Sequence, residues 1–124
     1  MFTQKLFVTA FLMSLFFLAS CKSDKPDYTE KIKGKWEITQ ALRNGNDTPT
    51  LQGGFFEFEN SGKVNVNLDG NPQTATYDLK DDKIIISGSS TDGEYLIKAL
   101  DAASMKLSVN IKGYEFEFDL KKAQ

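Results

Sequence analysis

From Lys35 onward apolar and polar residues alternate with a period of two, in eight successive runs. In an extended strand neighbouring side chains point to opposite faces, so each run has one face to bury. The inward sets are Trp36, Ile38 and Leu42; Phe56 and Phe58; Val64, Val66 and Leu68; and Ala75, Tyr77 and Leu79. They continue with Ile84 and Ile86; Tyr95, Ile97 and Ala99; Met105, Leu107 and Val109; and Tyr114, Phe116, Phe118 and Leu120. Most of the connections are hairpin-sized and carry Gly, Asn, Asp or Pro, whereas a parallel crossover needs a dozen or more residues. Only residues 43–54 are long, and Asn-Gly, Thr-Pro and Gly-Gly pairs mark them as a surface loop. An antiparallel meander of one-faced strands leaves two bare edges unless it closes on itself. The pattern therefore predicts an all-β fold, an eight-stranded antiparallel up-and-down barrel, with a two-sheet sandwich as the alternative.

Ahead of the strands lie two segments of different character. Lys5 precedes an apolar run over residues 6–18, about the length of a secretory signal core and short of the roughly 20 residues that span a bilayer. The run ends in Leu18, Ala19, Ser20 and Cys21, and the chain turns polar at once from Lys22 to Asp27. Next, Asp27 and Glu30 have the spacing of a capping box, with Gly34 as the stop, which predicts a short helical turn. The expected division is a signal peptide over residues 1–20, a tether and turn over 21–33, and one barrel domain over 34–124.

Residues 18–21 resemble the lipobox of bacterial lipoproteins. The resemblance implies cleavage before Cys21 and acylation of its thiol, giving a membrane partner through the acyl chains. Two or three chains anchor firmly where one holds only marginally. The implied location is the bacterial cell envelope, lipid-anchored, with the outer membrane as the expected destination.

Gly34, Lys35 and Trp36 open the first of the eight strands, after a helical turn and before one long loop. In that arrangement the chain resembles the lipocalins, and more closely the small lipocalin-like lipoproteins of Bacteroidota. The resemblance implies that Gly34 and Trp36 form a structural plug at the closed end of the barrel. It also implies a cation from the last strand stacked on the tryptophan. The family uses arginine there; this last strand offers Lys121 and Lys122.

Composition removes several kinds of chemistry. The sequence has no histidine, the commonest general base and metal ligand, and one cysteine, which excludes an internal disulfide or a multi-Cys zinc site. Fifteen Lys and Arg against 17 Asp and Glu leave no basic footprint for nucleic acid. Asn65, Asn67, Asp69 and Gly70 start like a calcium loop, yet Thr76 stands where the bidentate acid belongs. Asp81 with Asp82, and Asp92 with Glu94, fall in turns; Ser87, Ser89 and Ser90 have no base beside them. No enzyme, metal or cofactor is expected.

The remaining candidates are surfaces. Phe56, Phe58, Tyr77, Tyr95, Phe116 and Phe118 face inward and either line a lumen for a small hydrophobic ligand or fill the barrel outright. Phe55, Ile85, Leu96 and Leu100 are expected on the outside, as a patch for an envelope protein partner or for the membrane face. Ligand binding and a packed interaction module both stand at this point.

Overall fold

The structure, a computed structural model, describes residues 27–68 and 70–124. The expected signal peptide and Cys21 lie outside the described residues. Among the described residues nine strands follow in order: β1 Gly34–Arg43, β2 Asn46–Asp47, β3 Phe55–Phe58, β4 Lys63–Leu68, β5 Asn71–Lys80, β6 Lys83–Ser87, β7 Gly93–Leu100, β8 Ser104–Ile111 and β9 Tyr114–Lys122. Each strand from β3 onward pairs antiparallel with the next, β3 pairs with β1, and β9 returns to β1 from Trp36↔Lys122 to Arg43↔Phe116. The result is the closed eight-stranded up-and-down barrel that the periodicity predicts. Among the described residues the buried core runs from Ile32 to Leu120, and the ring closes between β1 and β9.

β2 is the addition, and local chemistry explains it. Asn44 and Gly45 take left-handed conformations, φ 50° and 83°, which suit the tight Asn-Gly hairpin turn that folds Asn46 and Asp47 back onto Leu42 and Arg43. The rest of the long loop forms one 3₁₀ turn, Pro49–Leu51, then rejoins the wall. Ile38 N–H donates to Gly54 O at 2.8 Å and Gly53 N–H donates to Ile38 O at 3.0 Å. Gly54 is required by space: a Cβ there would sit 2.5 Å from the backbone oxygen of Asn67. Ahead of β1 Ile32 N–H donates to Tyr28 O, closing a single turn, with the Asp27 carboxylate accepting from Thr29 N–H. Glu30 does not complete the capping box; it pairs with Lys33 at 2.9 Å.

Alternation holds along most strands, and its failures have one cause. Register shifts between Ile38 and Gln40 and between Ile97 and Ala99 mark two bulges. An extra residue in one strand exchanges inside for outside beyond it. Ala41, not Leu42, is therefore buried at the end of β1, and Leu42 turns to the outer face. In β7 Ala99 is exposed, contrary to its expected inward place, and Leu100 packs against the core from the face where it was not expected. Tyr114 keeps inward parity but is 48% exposed, because it lies at the open mouth beyond the packed layers. Ile84 and Ile86 of the all-isoleucine run are buried, as their parity predicts.

Candidate functional site

Six inward aromatics meet along the barrel axis. In the ring of eight, β3 and β7 are four strands apart in either direction. Even so, the Phe56 and Tyr95 rings meet edge to face with centroids 5.6 Å apart. Phe56 also meets Phe118 of β9 at 5.7 Å. Side chains from opposite walls thus touch across the full width at this level. Phe58 lies parallel to Phe56, Tyr77 packs edge-on to Phe58 at 5.0 Å, and Phe116 lies parallel to Phe118. Phe56, Phe58, Tyr95 and Phe118 are buried; Tyr77 and Phe116, at the two ends of this chain of contacts, are half-buried. Edge-to-face pairs of this kind contribute about 0.5–1.5 kcal/mol each beyond area burial.

Both phenol hydroxyls are engaged by the protein itself. Tyr95 donates to Thr91 O at 2.5 Å, fixing the β6–β7 loop at the open end, and Tyr77 donates to Glu59 O at 2.9 Å, fixing the β3–β4 turn at the other. Burial pushes both phenols above their ordinary pKa, so they stay neutral donors.

The closed end is built on Trp36, fully buried, whose indole N–H donates to Ile32 O at 2.8 Å. Lys122 covers the ring, its Nζ 4.5 Å from the indole centroid, and donates to Lys33 O at 2.6 Å. The cation on the tryptophan is thus a lysine of the last strand. Gly34, at φ 112°, leaves room for it: a Cβ there would lie 2.9 Å from Lys122 Cε. Ile32, also fully buried, is the plug residue that the sequence pattern did not single out. A lone apolar residue between Lys31 and Lys33, four before the tryptophan, was the available signal.

The other sequence candidates separate. The Asp92 carboxylate accepts from Gly88 N–H at 3.0 Å and Ser89 N–H at 2.6 Å, and these bonds hold its pKa below the ordinary value. Ser89 and Thr91 share a hydroxyl contact and Ser90 is held by Gln73, so the serines shape a loop. Asn65 donates to Glu57 and Glu59 on the outer wall, while Asp69 lies outside the described residues. Among the described residues no three His, Cys, Asp or Glu side chains converge as a metal site. Phe55 sits under Lys35, 4.3 Å from Nζ, and is separated by strands from Ile85 and Leu96, so these residues do not form one patch. An outer recess of about 590 Å³ lies at the closed end beside Gly34, Phe58 and Ser61.

Asp101 staples the β7–β8 turn, accepting from Ala103 and Ser104 N–H at 2.8 Å each, and its pKa is lowered by those bonds. A depressed folded-state pKa contributes stability that is present above the unfolded value, about 3.9, and is lost as pH falls through the folded one. Urea midpoints measured across the acid range should fall less steeply for Asp101→Asn than for the parent. Equal slopes would show that the staple adds nothing.

No protein-family model and no curated protein matches this chain.

Proposed function

We propose that this chain is a lipid-anchored envelope protein of the lipocalin-like kind, tethered through Cys21, whose filled barrel presents its outer surface to another envelope protein. The contact between Phe56 and Tyr95 carries the reading. A ligand on the barrel axis would have to push apart rings that meet from opposite walls. The anchor rests on Leu18, Ala19, Ser20 and Cys21 and on the polar stretch that follows. From Cys21 to Asp27 the chain reaches at most roughly 20 Å, and it joins the barrel at the end plugged by Trp36. That end would therefore lie near the membrane, with the open end away from it.

Native mass spectrometry of residues 22–124, with organic extraction alongside, tests the filled barrel. The expected result is the bare polypeptide mass; an apolar molecule bound near one-to-one would overturn it in favour of carriage of a small hydrophobic ligand. Mass analysis of the full chain recovered from membranes tests the anchor. Acyl mass on a chain beginning at Cys21, absent from Cys21→Ser, is expected; an unmodified thiol would remove the anchor.

A further inference from the structure

Asn44 is the only asparagine in the sequence followed by glycine. It is exposed, and it also latches the seam that closes the ring. The β1–β9 register ends at Arg43↔Phe116, and one step beyond it Asn44 is bonded twice to Glu115. Asn44 N–H donates to Glu115 O at 2.7 Å, and Glu115 N–H donates to the side-chain oxygen Oδ1 of Asn44 at 2.9 Å. The side chain thus supplies the acceptor that a continued strand would supply from its backbone. It does so where β1 turns away into the Asn-Gly hairpin.

Asparagine before glycine has a reaction of its own. The Gly45 nitrogen, giving its proton to solvent base, attacks Asn44 Cγ. A C–N bond forms, the Cγ–Nδ2 bond breaks, and the amide nitrogen takes up a proton and leaves as ammonia. Water then opens the resulting five-membered succinimide at either carbonyl. The product is an aspartate, or an isoaspartate whose backbone runs through Cβ. Crowding does not oppose the attack, since no described atom lies within 4 Å of the place a Gly45 Cβ would take. Conformation does oppose it. At φ 50° and 83° the two residues fit a type I′ turn, which carries the chain toward β2 on one side of β1. The side chain of Asn44 reaches to β9 on the other side. Ring closure needs Cγ and the Gly45 nitrogen together, so the latch must release and the turn must rearrange first.

We propose that Asn44 is a spontaneous modification site gated by the seam, deamidating from the form in which β9 has parted from the end of β1 and not from the closed ring. Conversion is then a one-way record of seam opening. Aspartate keeps a side-chain oxygen for Glu115 N–H and can latch again. Isoaspartate adds a methylene to the backbone of the turn and cannot. A barrel that has opened and converted in this way holds its open-end seam less tightly.

The full chain in detergent is incubated in warm, mildly alkaline buffer, native in one arm and urea-unfolded in the other. Conversion is read as the mass gain and isoaspartate content of the peptide that holds Asn44. The native chain should convert at least about tenfold more slowly than the unfolded one, a ratio set by how rarely the seam opens. Glu115→Pro removes the N–H that holds Oδ1 and leaves the Asn-Gly pair intact. Its native-state conversion should be severalfold faster than the parent's, with circular dichroism reporting that the barrel is retained. A second readout does not depend on that variant folding. The isolated isoaspartyl chain should exchange its amide hydrogens faster than the parent around Arg43 and Phe116, whereas Asn44→Asp should match the parent. Equal conversion in native and unfolded chains, a folded Glu115→Pro that converts no faster, or unchanged exchange in the isoaspartyl chain would each overturn the proposal.

Discussion

Phe56→Ala should lower the unfolding free energy by about 3–5 kcal/mol, the range for removing a buried phenyl ring from a core that cannot collapse around the gap. Collapse is resisted here because three other aromatics meet on the ring, with Phe58 stacked on it from its own strand. Tyr95 reaches it from the opposite wall and Phe118 from β9, and both belong to hydrogen-bonded strands that hold their positions. For a domain whose whole stability is of the order of 5–15 kcal/mol, the variant should unfold at a much lower urea concentration. The vacated space is apolar and enclosed, the kind that stays dry and admits a molecule such as benzene. Benzene should therefore raise the melting temperature of the variant and leave the parent unaffected. A loss under about 1 kcal/mol would mean that the ring does not bridge the walls.

The second large effect is expected at the closed end. Trp36→Ala removes the ring on which Lys122 rests and leaves the Ile32 carbonyl without its donor, so a loss of at least about 3–5 kcal/mol is expected. Trp36→Phe separates the two contributions. It keeps most of the apolar bulk and loses the indole N–H, and should cost about 1–3 kcal/mol. Denaturation followed by far-ultraviolet circular dichroism reads both, since the chain has one tryptophan and the variants lose it as a fluorophore. Equal losses in the two variants would assign the whole effect to the hydrogen bond.

The sequence was most informative where polar and apolar residues alternate without interruption. Val64 with Val66, Met105 with Leu107 and Val109, and Phe118 with Leu120 are all buried as their parity requires. Short turns then left closure as the way to remove both edges. Parity fails only past a bulge, and a bulge has no compositional signal in Thr39 or Lys98. For that reason the pattern places Leu42 in the core and Leu100 on the surface. β2 escaped because its Asn-Gly turn lies inside a loop otherwise rich in breakers. The inner aromatics were legible as a set. Whether they fill or line the barrel depends on distances across the ring, and a linear pattern carries no such distance.

Closure also sets the order of assembly. The bond from Lys122 to Lys33 joins residues 89 positions apart, and the β1–β9 ladder beside it is the ring's most distant pairing in sequence. Contacts of such separation form late, because the loop they close must lose its freedom first. Until β9 arrives, β1 and β8 are bare edges open to pairing with another chain. The nine residues of β9 therefore do more than extend the sheet. A chain emerging from its N-terminus stays vulnerable to aggregation until its final strand is free to move, and shortening it at the C-terminus would turn a sealed ring into an open ribbon.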